Sequence, residues 1–245
     1  VFSKMDKYEI SKRIENFAPL DTAENWDASG WVIDNPQMKN ISKIMLCLTP
    51  TEDVFSQVLN EGCDMVVSHH PMFYLPFSTC VIDENFHPKF NVYSAHTNMD
   101  KANGGTTDTI IKTLGLEEYK IPIGHEFLRM VELPNGISIE DFSKKISEIS
   151  PSGRLVNNKN IKHLQKIAFC AGSGSEFITD AKELGADCLV TGDLKFHTAL
   201  DSEIVLYDIG HFESEILILP VFEKLIGEDV EIVYAKEHSP FNLIR

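Results

Sequence analysis

The sequence predicts an α/β protein of two similar α/β lobes, each a mixed sheet flanked by helices, with residues 1–122 in the first lobe and 123–245 in the second, the boundary approximate and elements open to exchange between lobes. Three observations carry that expectation. Short β-branched or apolar runs at 41–48, 65–68, 91–95, 167–169, 188–190 and 204–207 alternate with helical patterns, the alternation of a parallel or mixed sheet. Histidines and carboxylates cluster just after those runs, at the strand ends where α/β folds place their chemistry. Finally, His96-x-x-x-Asp100 follows a strand in the first half and His211-x-x-x-Glu215 follows one in the second. The halves therefore read as diverged copies of one unit, with a metal site expected in the cleft between them.

Apolar residues at Tyr8, Ile10, Ile14 and Phe17 predict a helix over 5–17, ended by Pro19. The strand at 41–48 runs into Thr49-Pro50-Thr51-Glu52, where Thr49 suits an N-cap, Pro50 the first helical position and Glu52 the reciprocal acceptor. A helix to Asn60 follows, stopped by Gly62. After the strand at 65–68 comes a loop containing Pro and Phe, then the strand at 91–95, then a helix opened by Asn103-Gly104-Gly105 and stopped at Gly115. The second half reads as a strand at 127–133, a helix at 139–149 behind Ser138, and a strand at 167–169 entering Ala171-Gly172-Ser173-Gly174-Ser175. A helix to Leu184, the strand at 188–190, a short helix bearing His197 and the strand leading into His211 follow. Residues 214–225 read as helical in spite of Pro220, and 231–234 as a last strand.

With 43% hydrophobic and 24% charged residues over 245 positions, a sizeable core is available. The 22 basic residues against 37 acidic ones leave a formal charge of −15. That balance argues against a broad nucleic-acid or anionic-membrane footprint, and the expected partners are small molecules or proteins. No apolar run approaches the roughly 20 residues that span a bilayer. Val1-Phe2-Ser3-Lys4-Met5 lacks a signal-peptide core, so a cytoplasmic location is expected. Cys47, Cys63, Cys80, Cys170 and Cys188 form no C-x-x-C pair and read as inert buried thiols, without a disulfide framework or a thiolate zinc site.

His69 and His70 are adjacent at a strand end, so their imidazoles point to opposite sides and could each serve a separate ion. Asp100 and Glu215 offer carboxylates able to bridge two cations roughly 3.5–4 Å apart. His211 and Glu215 are four apart and share a face if the chain turns helical there. Each residue alone reads more simply as a polar loop or a surface charge. Together, three histidines and two carboxylates without a thiolate fit Zn, Mn, Fe(II) or a similar ion rather than copper or an iron–sulfur cluster. Glu213, two residues from His211, would point away and reads as solvent-facing. His96 and His197 are further ligands, orienting donors, proton shuttles or core histidines, and Asp193 is a candidate carboxylate behind a ligand. Gly172-Ser173-Gly174-Ser175 is either a phosphate cradle or a plain tight turn. It matches neither dinucleotide nor P-loop glycine patterns, and no G-x-S-x-G elbow appears, which disfavours nucleophilic catalysis.

Several segments, in order, resemble the signature segments of the Nif-three-like family, whose members are often named GTP cyclohydrolase 1 type 2 homologues. They are Asn25-Trp26-Asp27-Ala28-Ser29-Gly30, Val66-Val67-Ser68-His69-His70-Pro71, Ser94-Ala95-His96-Thr97-Asn98-Met99-Asp100, Cys170 through Ser175, Thr191-Gly192-Asp193-Leu194-Lys195-Phe196-His197 and Gly210-His211 through Glu215. The resemblance runs from Tyr8 to Tyr234. It implies two α/β lobes, a dinuclear metal centre ligated by His69, His70, Asp100, His211 and Glu215, and a toroidal homohexamer. His96 and His197 fall at positions near the metals. The short stretch 113–138 leaves no room for the extra domain that some members insert.

The expected function is a dinuclear metal-dependent hydrolase. Two divalent ions per chain would acidify a bound water, which attacks an electrophilic carbon or phosphorus while His96 or His197 moves protons. The substrate expected is a small anion such as a nucleotide; for GTP the attack falls on C8 of guanine and releases formate. The alternative is a non-catalytic metal-binding or regulatory interaction protein.

Overall fold

The computed structural model describes residues 3–72 and 87–242, so Cys80 and most of the loop expected between the strands at 65–68 and 91–95 lie outside the described residues. The chain forms two compact units, Val1–Gly105 with Ile218–His238, and Thr106–Leu217 with Ser239–Arg245. The chain passes from the first unit to the second after Gly105 and returns to the first over Ile218–His238.

In the first unit a five-stranded sheet runs in the order Glu231–Tyr234, Lys43–Cys47, Met65–Ser68, Asn91–Ser94, Gly30–Ile33. The first four strands are parallel and Gly30–Ile33 is an antiparallel edge. Met65-Val66-Val67-Ser68 is buried at every position, as a central parallel strand covered on both faces must be. Val54, Phe55 and Val58 of the helix Glu52–Glu61 join Met45, Val66, Phe90 and Val92 in the core. That helix is capped by Thr51, whose side chain accepts from Val54 N–H at 3.3 Å, and ends at Gly62 in the left-handed conformation. The cap thus sits two residues after Thr49, whose hydroxyl is used elsewhere. Lys7, at the start of the helix Lys7–Phe17, is fully buried. It pairs with Asp34 and donates to the Asn35 carbonyl at 2.5 Å and to Asn91 Oδ1 at 3.1 Å, so the buried charge is neutralised where it stands.

In the second unit a six-stranded sheet runs Lys120–Ile121, Arg129–Ser138, His163–Phe169, Cys188–Thr191, Val205–Asp208, Arg154–Val156. Its three central strands from His163 onward are parallel, and Arg154–Val156 closes the edge antiparallel. Alternation along His163–Phe169 sends Ile167 and Phe169 to one core cluster and Ala168 to another, so both faces are covered. The helix Ile139–Ile149 begins on Ser138, whose hydroxyl accepts from Asp141 N–H at 3.0 Å.

The units repeat one topology. In each, a helix (Lys7–Phe17; Ile139–Ile149) is followed by an edge strand (Gly30–Ile33; Arg154–Val156) and then by three parallel strands. The third of these pairs antiparallel with that earlier edge strand. Residues 214–225 are not one helix. His211–Glu215 gives way to a 3-10 turn, Ile216–Ile218, and the helix Leu219–Ile226 restarts with Pro220 in its first turn. Proline has no N–H, and its ring would strike the carbonyl four residues back, so it is tolerated only at a helix start. Among the described residues no helix is long and apolar enough to cross a membrane.

Candidate functional site

His69 and His70 leave the strand Met65–Ser68 in the first unit, and His96 follows Asn91–Ser94. His69 is 0% exposed, and its Nδ1 donates to the Ala95 carbonyl at 2.9 Å. A carbonyl can only accept, so the Nε2 of the neutral ring carries the lone pair. His70 Nδ1 meets the Thr49 hydroxyl at 2.8 Å, and His96 Nδ1 meets Asp27 Oδ1 at 2.9 Å. Burial pushes the Asp27 carboxyl up, but hydrogen bonds from His96, Ser29 and Thr97 outweigh it and hold the group well below the usual carboxylate range. Asp27 is therefore an anionic acceptor that keeps a proton on His96 Nδ1. One ligand atom from each of the three histidines lies within 4.8 Å of the others. Asp100, on the helix Thr97–Lys101, places Oδ1 at 3.5 Å from His69 Nε2.

In the second unit His211 opens the helix His211–Glu215. Its Nδ1 meets Asp193 Oδ2 at 2.7 Å, and its Nε2 lies 3.0 Å from Glu215 Oε2. Glu215 is 3% exposed. The hydrogen bond to Glu215 raises the imidazole, burial opposes it, and the charges of Glu215 and Asp193 add to the rise, so His211 is pushed up to about 9. Asp193 reaches His211 from a backbone with φ of 57°, a left-handed conformation uncommon for a residue with a Cβ. A Cβ on Gly172 would collide with Glu215 Oε1 and stand 3.6 Å from His211 Cε1. That glycine is the space the carboxylate occupies. The Gly172-Ser173-Gly174-Ser175 segment is a turn in which both glycine amides are already engaged. Gly172 N–H donates to Ser214 Oγ at 2.9 Å and Gly174 N–H to Thr191 Oγ1 at 2.8 Å, which removes them from any phosphate cradle.

Beside His211 lies a cavity of about 500 Å³ whose lining includes Arg154, Asp193, Asp208, Glu213 and Phe241. Glu213, expected to face solvent, is half-buried and shares the cavity wall. Arg154 pairs with Asp208. His197, on the helix Phe196–Leu200, is exposed, and among the described residues no group of three metal-ligating side chains includes it.

The donor set fits a hard or borderline divalent ion. Two ligand atoms held roughly 2.1 Å from one ion at a tetrahedral angle stand about 3.4 Å apart, and the 3.5 Å between His69 Nε2 and Asp100 Oδ1 matches that spacing. In each of the four histidines, His69, His70, His96 and His211, Nδ1 is taken by an oxygen. The four described cysteines are buried, and burial raises the Cys47, Cys63 and Cys188 thiols, so none of these three supplies a ready thiolate. The repeat of His-x-x-x-acid is not a repeat of contacts. Glu215 meets its own His211, whereas Asp100 meets His69. Replacing Asp193, the carboxylate behind His211, by Asn should weaken divalent-metal binding by roughly 10- to 100-fold, the usual effect of losing a ligand's outer hydrogen-bond partner; calorimetric titration of the metal-free variant checks it.

The profile of the Duf34/NIF3 (NGG1p interacting factor 3) family matches residues 5–240. A Clostridium perfringens protein named GTP cyclohydrolase 1 type 2 homolog is 34% identical, covering 96% of this chain and 98% of its own length. Drosophila melanogaster NIF3-like protein 1 is 26% identical over 96% of this chain and 88% of its own. Among solved structures, reduced HcgD from Methanocaldococcus jannaschii superposes with a TM-score of 0.82 at 26% identity, covering 97% of this chain and all of that one. A Bacillus cereus protein related to NIF3 gives 0.83 at 18% identity, over 99% of this chain and 100% of that one, and so shares the fold.

Proposed function

The chain belongs to the Duf34/NIF3 family, and we propose that it is a metal-dependent hydrolase whose divalent ions are held by His69, His70 and Asp100 from the first unit and His211 and Glu215 from the second. The observation that carries this reading is the fixed orientation of the imidazoles. Four Nδ1 atoms are committed to Ala95 O, Thr49 Oγ1, Asp27 Oδ1 and Asp193 Oδ2, which leaves the Nε2 atoms of His69, His70 and His211 as ligands and that of His96 for proton transfer. When bound, divalent ions supply a water acidified toward neutral pH and a positive field for an anionic substrate.

The chain's own residues then divide the work. Asp27 and Asp193 keep His96 and His211 in one tautomer, and Thr49 holds the His70 ring. His211 must give up its proton for its Nε2 to ligate, and Glu215 is the carboxylate beside it. His96 and His197 are the groups proposed to move protons during turnover. The substrate proposed is an anionic small molecule, with GTP first among candidates because relatives carry the name GTP cyclohydrolase 1 type 2 homolog. Assembly as a hexamer and a cytoplasmic location belong to the same proposal.

The test is direct. Metal content of the purified protein is measured by mass spectrometry, and GTP and a panel of phosphoesters are assayed with and without added Mn or Zn. About two ions per chain, with formate released from GTP or turnover of a phosphoester, is the expected result. Bound metal without turnover of any substrate would replace the enzyme by a metal-binding or regulatory protein.

A further inference from the structure

Trp26 leaves 70% of its surface in solvent, although an indole is among the side chains with most to gain from burial. The chain's other tryptophan, Trp31, behaves as expected. Its ring makes edge-on contacts with Tyr8 at 5.5 Å and Tyr93 at 5.2 Å. Nor does Trp26 hang on a loose segment. Glu24 N–H donates to Thr97 Oγ1 at 2.9 Å, and Lys101 pairs with Glu24 at 2.6 Å. The Asp27 carboxylate accepts from Thr97 N–H at 3.0 Å and Thr97 Oγ1 at 2.6 Å besides its contact with His96. Asp27 N–H closes the turn on the Glu24 carbonyl at 2.9 Å. Glu24 and Asp27, on either side of the indole along the turn, are thus bolted to the helix Thr97–Lys101, and the indole ring centroid lies 6.2 Å from that of His96, at 76°.

We infer that Trp26 is the stacking surface for a planar heteroaromatic ring of the substrate, so that the site selects a nucleotide base over a ring-free phosphoester. The inference rests on the proposed function, since it takes His96 to be part of the reactive group. A rigid exposed aromatic side chain binds at low entropic cost because its order is established by the fold. Stacking is tolerant of base identity, because every base has a π-face, and truncating the platform changes affinity by roughly 5- to 150-fold. Discrimination between bases therefore lies with other groups, and Trp26 supplies the requirement for a ring.

Zn-loaded protein, with metal content measured on each sample, is titrated calorimetrically with GMP, AMP and ribose 5-phosphate, which shares their sugar and phosphate but has no base. Trp26→Leu is expected to weaken GMP and AMP by about tenfold, Trp26→Phe to recover most of that loss, and ribose 5-phosphate to bind all three proteins alike. In a Trp31→Phe background, where Trp26 is the sole indole, GMP should quench the fluorescence and ribose 5-phosphate should not. Unchanged GMP affinity in Trp26→Leu, equal weakening of ribose 5-phosphate, or a change in oligomeric mass with nucleotide binding intact would overturn the inference. The last result would make Trp26 a contact between copies. Protein that takes up no metal refutes the proposed function itself, whereas metal-loaded protein indifferent to Trp26 refutes only the stacking role.

Discussion

Replacing Glu215 by Gln is expected to cost more than about 100-fold in divalent-metal affinity, beyond the loss of an outer hydrogen-bond partner, and to return the His211 imidazole toward its ordinary range. The amide keeps the shape that Gly172 accommodates, so the change removes charge without demanding new space. In the metal-free protein Glu215 is the largest cause of the rise that takes His211 to about 9, with Asp193 contributing less and burial opposing. The sign for stability follows from that rise. Because the folded value lies above the ordinary 6.5, the His211 cation stabilises the metal-free fold fully below about pH 6.5, and this contribution is lost as pH climbs through 9. Metal binding has the opposite dependence. An ion needs the neutral imidazole, so at pH 7 it must displace the His211 proton, and affinity should climb with pH until His211 is neutral. Calorimetry in buffers of different ionisation enthalpy should show about one proton released at this group per metal bound by the native protein near pH 7. In Glu215→Gln that release should fall away, since the imidazole is already largely neutral. Equal proton release from both proteins would contradict the pairing of His211 with Glu215.

The strand ends were legible in the sequence because central parallel strands are continuous apolar runs, and the break into polar residues marks where each stops. Met65–Ser68 and the helix Ile139–Ile149 fall where the pattern put them. The edge strands Gly30–Ile33 and Arg154–Val156 were not legible. Trp31 and Val32 are only half-buried and Arg154 and Leu155 are exposed, so neither run carries a buried-strand signature. The return of the chain to the first unit carries no local signal either. Strand Glu231–Tyr234 pairs with Lys43–Cys47 across most of the chain, and local periodicity carries no information about such a partner.

The ligand-type residues were visible as residues, but what orients them was not. Thr49 looked like a helix cap, yet Thr51 takes that role and Thr49 holds His70, 21 positions away. Asp27 lies 69 positions from His96, within a segment noticed only through family resemblance. Glu213, on the same five-residue helix as His211 and Glu215, is half-buried and lines the neighbouring cavity, a setting that helix spacing alone does not specify.

Gly192→Ala should be among the most damaging single-methyl changes in the second unit. A Cβ there would stand 2.9 Å from both Gly210 C and His211 N and 3.0 Å from Gly172 O. All three are backbone atoms, so no side chain can swing aside. The three segments concerned leave neighbouring parallel strands, and Gly192 N–H donates to the Gly172 carbonyl at 2.8 Å, so relief requires the strand ends to separate. Overpacking of this kind costs about 3 kcal/mol, which for a chain of this size lowers Tm by roughly 6–12 °C. Gly185→Ala isolates the other cost a glycine can conceal. Its φ is 85° and nothing lies within 4 Å of its Cβ position, so the substitution pays only left-handed strain of roughly 1 kcal/mol. The decisive comparison is in metal binding, because Gly192→Ala pushes on His211 N while Gly185 lies in the turn after the helix Ile178–Glu183. Calorimetric melting should rank Gly192→Ala well below Gly185→Ala, and metal titration should find affinity reduced only in the former. Equal metal affinity in the two variants would mean that His211 holds its place independently of the glycine contacts beneath it.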